Sequence, residues 1–128
     1  MKKITLLLLV FSLQLQAAPC LEMNEPWLHF VTTKSMYDKY GSLHWETNNK
    51  RVYGSQGILA GMIDGNTLKD CQGFVVAKRV DSRIVDETGA LLYIIDGNNI
   101  KDSRGSLIFT IKGDTIYNRS GNVYGTLK

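Results

Sequence analysis

The sequence has few of the side chains on which enzyme active sites and metal centres depend. Its 128 residues include two histidines, His29 and His44, and two cysteines, Cys20 and Cys71. Zinc sites need three or four protein ligands, and catalysis by a nucleophile or a general base needs a grouped set of such residues. Because no such set stands out from the sequence pattern, we predict a protein that is not an enzyme and that holds no metal and no cofactor.

A strong excess of charge is also missing from most of the chain. The formal net charge is +3, and two of the 15 basic residues are Lys2 and Lys3 at the N-terminus. Without these two lysines the net charge falls to +1. The basic surface typical of proteins that bind nucleic acid or anionic membranes is therefore not expected.

Long apolar runs are limited to one, at residues 4–13, directly after Lys2 and Lys3. Small residues follow at Ala17 and Ala18, which completes the pattern of a cleavable secretory signal peptide. About ten apolar residues are too few for a membrane-spanning helix. We predict a signal peptide over residues 1–17, a periplasmic or secreted mature protein, and no integral membrane insertion after cleavage.

Cys20 and Cys71 both lie in the mature part of the chain. In an oxidising compartment one disulfide between them is the expected state. It would close a loop of about fifty residues and contribute on the order of 4 kcal/mol by the chain-entropy model. Two unpaired thiols are the alternative, because the sequence does not show that the two side chains meet.

Glycine recurs at a strict spacing through most of the mature chain. Six glycines are each 16 residues apart: Gly41, Gly57, Gly73, Gly89, Gly105 and Gly121. Five residues before each glycine the side chain is apolar: Met36, Val52, Leu68, Ile84, Ile100 and Ile116. Two residues after each glycine it is apolar again: Leu43, Leu59, Val75, Leu91, Leu107 and Val123. A fixed period of this kind indicates a repeat architecture.

Turn-forming residues accompany the glycines. Five of the six glycines follow an aspartate or asparagine by three positions: Asp38, Asp70, Asp86, Asp102 and Asn118. Such a side chain can accept hydrogen bonds from the backbone of a turn, and glycine supplies the positive φ of the bulge that follows. Turn formation explains these residues better than calcium binding, which needs a denser set of ligands. Each repeat is therefore predicted to be a β-hairpin, with further tight turns at Gly65, Gly97 and Gly113 between repeats.

Apolar residues alternate after each glycine, as at Leu107, Phe109 and Ile111. This period of two predicts that positions two, four and six after the glycine face the core of an all-β protein. Strands of about five residues are roughly half as long as those that cross a bilayer, which argues against an outer-membrane pore.

Single hairpins are marginally stable, so the repeats of residues 35–128 must share a core. They could close into a ring, a barrel-like flower, or stack as an open array of hairpins. We favour closure because it removes the edge strands. Residues 18–34 form either an atypical N-terminal segment or a degenerate seventh repeat. In the latter case Trp27 and His29 continue the columns of Leu43 and Trp45, and Glu25 stands at the glycine position.

The C-terminal repeats resemble the bacterial β-flower families, whose short tandem hairpins have the form G-D/N-x-I-Y-D/N-x-x-G. The matching stretches are GNNIKDSRGSLIF from Gly97 and GDTIYNRSGNVYG from Gly113, and the resemblance covers about residues 49–128. It implies a symmetric ring of hairpins and carries over no catalytic residues. The family names describe four- and five-fold flowers, whereas this chain has six glycine-marked repeats, so the number of blades stays open.

One candidate site consists of His44 and Glu46, which flank Trp45. By alternation both side chains face outward, where they could hold a metal ion or relay a proton. A solvated strand face is the alternative, since two residues do not make a ligand set.

The second candidate site is a column of three tyrosines, Tyr37, Tyr53 and Tyr117. Closure of six repeats would bring them into one outward-facing arc, because the sixth repeat then neighbours the first. Such an arc could stack on sugar rings or anchor a protein partner. Ordinary cross-strand packing of tyrosine is the alternative.

These features predict an exported, non-enzymatic domain that binds a macromolecular partner through a rigid hairpin surface, as an inhibitor, immunity or envelope-interaction protein does. A module that binds cell-wall or surface glycans through the tyrosine arc is the first alternative. An enzyme that uses His44 and Glu46 is the second. We expect no nucleic-acid partner.

Overall fold

The six repeats fold into twelve antiparallel β-strands. The computed structural model describes residues 20–128, so the predicted signal peptide at residues 1–17 lies outside the described residues. The strands are β1 (Met36–Asp38), β2 (Leu43–Asn48), β3 (Arg51–Gly54), β4 (Leu59–Asp64), β5 (Thr67–Asp70), β6 (Val75–Val80), β7 (Arg83–Val85), β8 (Leu91–Asp96), β9 (Asn99–Asp102), β10 (Leu107–Lys112), β11 (Thr115–Asn118) and β12 (Val123–Leu127).

The strands close into a barrel. Each strand pairs with its neighbours in sequence, and β1 also pairs with β12 through Met36 opposite Leu127 and Tyr37 opposite Thr126. We call this β1–β12 pairing the seam. The prediction of an all-β ring is confirmed, and the open array is excluded because the first and last strands satisfy each other's edges.

The turns within the repeats have the predicted chemistry. Asp102 Oδ1 accepts the backbone N–H groups of Arg104 and Ser106, both at 2.9 Å. The N–H of Gly105, at φ +87°, donates to the Asp102 carbonyl. The same side-chain bonds are made by Asp38, Asp70, Asp86 and Asn118. In the turn of the second repeat Gly54 stands at the Asx position, and the N–H of Gly57 donates to the Gly54 carbonyl at 3.0 Å. Together these six turns form one end of the barrel, which we call the glycine rim, and the tight turns between repeats form the other end.

The column five residues before each glycine forms the innermost part of the core. Its side chains are at most 1% exposed: Met36, Val52, Leu68, Ile84, Ile100 and Ile116. The residues opposite them on the next strand, four positions after each glycine, point to the same interior: Trp45, Gly61, Ala77, Tyr93, Phe109 and Gly125. This part of the predicted core is confirmed.

The prediction that the residue two positions after each glycine faces the core is wrong. Met36 lies opposite Trp45 and Tyr37 opposite Leu43, so the pairing skips His44. The same shift occurs in all six repeats. A bulge adds one residue to a strand and interrupts its alternation. The interior therefore receives the third residue after the glycine, whereas Leu107 and Val123, two positions after theirs, are 37% and 42% exposed.

The N-terminal segment, residues 20–34, packs onto the inward-facing columns. It contains the helix α1 (Leu28–Val31) and no strand, so it is not a seventh hairpin, and Trp27 and His29 do not continue the strand columns. Trp27 and Leu28 are each 1% exposed, and the Trp27 ring lies 5.0 Å from that of Phe109. A barrel of eight strands is filled by its own side chains. This wider ring is filled by a segment of its own chain.

The segment is attached to the barrel at both ends. Cys20 forms a disulfide with Cys71 in the third within-repeat turn, with Cα atoms 5.6 Å apart, as predicted. At the other end the Arg79 guanidinium donates to the Phe30 carbonyl at 3.0 Å. No helix formed by residues 20–128 is long and apolar enough to cross a membrane.

The seam should be sensitive to added volume at Gly125. A Cβ atom at this position would lie 2.5 Å from the Tyr37 carbonyl oxygen and 2.8 Å from the Met36 methyl group. Since the backbone of β1 would have to move, we expect Gly125→Ala to lower the free energy of unfolding by about 1–3 kcal/mol. Urea denaturation measures this change. Ala77 occupies the same repeat position with its Cβ accommodated, and an unchanged midpoint for Gly125→Ala would contradict the close approach.

Candidate functional site

A buried carboxylate lies where the N-terminal segment meets the seam. Glu25 is 6% exposed and accepts hydrogen bonds from His44 Nε2 at 2.8 Å and from Trp45 Nε1 at 2.9 Å. The Tyr124 hydroxyl donates to its second oxygen. Three donors compensate the carboxylate for the hydration that it loses on burial. We call these four side chains the Glu25 cluster.

Ring closure assembles the Glu25 cluster. His44 and Tyr124 are the bulge residues of the first and sixth repeats, which are about eighty positions apart in sequence and adjacent across the seam. Because the bulge turns the third residue after the glycine inward, both side chains reach Glu25. Glu25 itself is held by the first turn before α1, in which the Leu28 N–H donates to the Glu25 carbonyl at 3.0 Å.

The first predicted site is not assembled as expected. The prediction that His44 faces outward beside Glu46 is wrong, because the bulge directs His44 to Glu25. Glu46 lies opposite Tyr53 on β3 and is half-buried. His44 and Glu46 therefore belong to different surroundings and do not form a shared ligand pair.

Tyr124 keeps its proton within the Glu25 cluster. Burial, reinforced by the hydrogen bond to Glu25 and by its charge, raises the pKa of Tyr124 well above the usual value. Burial and the Glu25 charge also raise the pKa of Tyr93. Tyr124 is therefore neutral at physiological pH, and its hydroxyl group donates a hydrogen bond to the Glu25 carboxylate. This chemistry suits a structural anchor.

His29 is buried, whereas the His44 side chain is 38% exposed. The His29 ring packs edge-on against Trp45 with centroids 5.7 Å apart, and its Nε2 has no hydrogen-bond partner among residues 20–128. Burial lowers the pKa of His29 to about 4, although the Glu25 charge acts in the opposite direction. His29 is thus neutral in the folded protein over most of the pH range.

The tyrosine column follows the predicted order around the ring. Tyr37, Tyr53 and Tyr117 lie on β1, β3 and β11, which are alternate strands of one five-strand arc. All three are half-buried. The ammonium groups of Lys128 and Lys112 lie 5.2 Å and 5.7 Å from the ring centroids of Tyr37 and Tyr117. Two of the three rings are therefore already covered by lysines, and ligand binding by the arc stays a prediction.

The turn carboxylates are engaged by the backbone. The hydrogen bond from the Thr88 hydroxyl, followed by that from the Ala90 N–H, lowers the pKa of Asp86. The Ser106 N–H has the largest effect in lowering the pKa of Asp102. These bonds are the ones that define the turns, so the recurring aspartates are explained by local structure.

A cleft opens on the glycine rim above the Glu25 cluster. It has a volume of about 680 Å³ and lies between the within-repeat turns of the first and sixth repeats. We call it the seam cleft. Its lining consists of Asp38, Lys39, Tyr40, Asn118, Asn122, Val123 and Tyr124.

Three exposed apolar side chains lie near the disulfide on the same rim. Leu21, Ile58 and Phe74 are 38%, 51% and 66% exposed, and we call them the staple patch. Leu21 packs against Gly54 so closely that a Cβ there would collide with it. Phe74 belongs to the same turn as Cys71. A groove of about 410 Å³ borders Leu21 on the side of the third repeat.

Sequence reasoning missed Glu25, Tyr124 and Tyr40 as site residues. The signal for Glu25 was present, since it is an acidic residue at a position where the repeat would have glycine. Tyr40 and Tyr124 gave weaker signals, because aromatic residues are common on strands and turns. Tyr124 lies near Glu25 and Tyr40 lines the cleft only because of the bulge and of ring closure. Neither the bulge nor ring closure can be recognised from these two residues in the sequence.

No protein-family model, curated protein or solved structure matches this chain. Its function must therefore be inferred from its own residues.

Removing the Tyr124 hydroxyl should weaken the anchor of the N-terminal segment. A hydrogen bond to a charged acceptor contributes about 1.5–3 kcal/mol, so we expect Tyr124→Phe to lower the free energy of unfolding by that amount. Tyr40→Phe is the matched control, because the exposed Tyr40 ring lies outside the Glu25 cluster. Equal unfolding midpoints for the two variants in urea would contradict the role of the cluster.

His29 should make the protein less stable in acid. The unfolded chain binds a proton near pH 6.5, whereas folded His29 binds one only near pH 4. Between these values the unfolded state holds more protons, so stability falls as the pH is lowered, by up to about 3 kcal/mol. We expect His29→Phe to remove this part of the pH dependence. Urea titrations of both proteins between about pH 7 and pH 4 test it, and parallel losses would show that His29 contributes nothing.

Proposed function

We propose that this protein is an exported, non-enzymatic domain that binds a protein partner through the staple patch on its glycine rim. It would act by occupying a surface of that partner, as an inhibitor, an immunity protein or an envelope-interaction protein does. The observation that carries the proposal is the exposure of Leu21, Ile58 and Phe74 near one disulfide.

Seven large apolar side chains are exposed in residues 20–128, and three of them belong to the staple patch, while Tyr40, Val80, Leu107 and Val123 lie elsewhere. Single apolar residues on a surface are common and need no explanation. Here Ile58 and Phe74 occupy the same position, one residue after the glycine, in two neighbouring repeats. Leu21 reaches the same turns from the N-terminal segment. Aromatic side chains such as Phe74 are enriched in the buried centres of protein–protein interfaces.

The glycine rim is one-sided. The residues that correspond to Ile58 and Phe74 in the fourth, fifth and sixth repeats are small or polar: Ala90, Ser106 and Asn122. Since the turn geometry is the same in all six repeats, the backbone does not require apolar residues at this position. A function carried by the second and third repeats accounts for them.

The staple patch is rigid before it binds. The disulfide fixes Cys20 beside Leu21, and hydrogen bonds within each turn fix the positions of Ile58 and Phe74. A surface that is ordered in the free protein loses little conformational entropy on binding. A low entropic cost of this kind allows a small domain to bind through a small interface.

Two further inferences belong to this proposal. The disulfide favours an oxidising compartment, in agreement with export to the periplasm or beyond. The hairpin pattern favours kinship with the β-flower families, here as a six-fold member.

Site-specific photo-crosslinking tests the staple patch. We would place a photoreactive amino acid at Phe74 and, in a separate variant, at Ser106, which has the same repeat position on the polar side of the rim. In cells that produce the protein we expect a discrete heteromeric adduct from position 74 and none from position 106. Adding Ile58→Ser to the position-74 variant should abolish the adduct.

Several outcomes would contradict the proposal. Equal adducts from positions 74 and 106, or an adduct unaffected by Ile58→Ser, would mean that the staple patch does not select the partner. An adduct with twice the mass of the chain would replace the foreign partner with a second copy. Thermal unfolding of each variant shows that the fold is retained.

A further inference from the structure

We propose that the seam cleft is a binding site for a saccharide, in which Tyr40 stacks on a sugar ring and Asn118, Asn122 and Asp38 bind its hydroxyl groups. This inference goes beyond the proposed function, because none of these residues belongs to the staple patch.

The seam cleft has the dimensions of a small-ligand site. Its volume of about 680 Å³ falls within the range of about 300–1,000 Å³ that is usual for ligand pockets. Tyr40 forms one wall and is 82% exposed, although it is a large aromatic residue. The Lys39 ammonium lies 5.2 Å from its ring centroid, over one face. The remaining exposed surface offers an apolar platform of the kind on which the C–H face of a pyranose can stack.

The opposite wall departs from the repeat pattern. Asn118 is the one asparagine at a turn position that is aspartate in four other repeats. Its Oδ1 accepts the N–H groups of Ser120 and Asn122 at 3.0 Å, as the turn requires. The turn makes no use of the Nδ2 group, so asparagine adds two donors that aspartate lacks. The substitution changes what the cleft offers to a ligand without changing the turn.

Donors and acceptors face each other across the seam cleft. Asp38 Oδ1 accepts two backbone N–H groups of its own turn, at 2.9 Å and 3.0 Å, which leaves Oδ2 to accept further bonds. Asn122 is exposed and contributes both an amide donor and an acceptor. Each hydroxyl group of a sugar can donate one hydrogen bond and accept others. Sugar hydroxyls can therefore donate to the carboxylate on one wall and accept from the amides on the other.

The floor of the seam cleft is fixed from below. Tyr124 lines the cleft, and its hydroxyl is bonded to the buried Glu25. A side chain held in this way does not collapse into the cleft, so the site exists before the ligand arrives. The Glu25 cluster then supports a binding site in addition to the N-terminal segment.

Backbone-amide NMR titration of the oxidised protein tests the proposal. The probes are two neutral oligosaccharides, cellotetraose and chitotetraose, added up to millimolar concentration so that weak binding is detected. We expect saturable shifts of the Tyr40, Asn118 and Asn122 amides with at least one probe. We expect Tyr40→Ala and Asn118→Asp each to weaken binding about fivefold to tenfold.

Asn118→Asp is the sharper variant, because aspartate supports the same turn in four other repeats and an unfolded protein is not expected. Phe74→Ala, which removes an exposed aromatic side chain of the staple patch, should leave saccharide binding unchanged and weaken only partner binding. The absence of saturable shifts with both probes would overturn the proposal. So would shifts that survive Tyr40→Ala and Asn118→Asp together, or shifts that are reproduced by an unrelated tetrapeptide, which would make the cleft a peptide site.

Discussion

The width of the barrel is the constraint on which the rest of the structure depends. Twelve strands enclose more space than the inward-facing side chains of short hairpins can fill, and two of the six interior positions opposite the core column are glycines, Gly61 and Gly125. The N-terminal segment occupies this space with Met23, Trp27 and Leu28, all buried. The hairpin ring and its filling segment are therefore one cooperative unit, and neither has a complete core alone.

A polar anchor inside this core has a specific use. Apolar packing alone would allow residues 20–34 to sit at several heights or rotations within a ring whose six repeats are similar. Glu25 removes that freedom because the donors His44, Trp45 and Tyr124 are grouped at the seam. A buried charge without these partners would be costly, so one arrangement is selected. The N-terminal segment therefore takes a single position and rotation in the ring, and the six repeats are no longer equivalent.

This asymmetry distinguishes the six turns of the glycine rim from one another. The six turns share one backbone geometry, and their differences lie in side chains that the turns do not require. The disulfide brings Leu21 to the second and third repeats, while ring closure creates the cleft between the first and sixth. Two neighbouring regions of one rim thus differ in chemistry, one apolar and one rich in amide and hydroxyl groups. The protein partner and the saccharide that we propose would therefore occupy separate regions of the rim.

Sequence alone determined the features that arise within one repeat. The glycine period, the aspartate turns and the core column from Met36 to Ile116 follow from local backbone chemistry. The disulfide between Cys20 and Cys71 is expected from the sequence, but only the structure shows that the two residues meet. Only the tertiary structure decided the direction of His44, the helix α1 and the meeting of Glu25 with Tyr124. A bulge shifts the strand register by one residue without a side-chain signature, and contacts across the seam join repeats at opposite ends of the chain. Such contacts depend on the number of hairpins in the ring and on the N-terminal segment inside it. The sequence of a single repeat specifies neither.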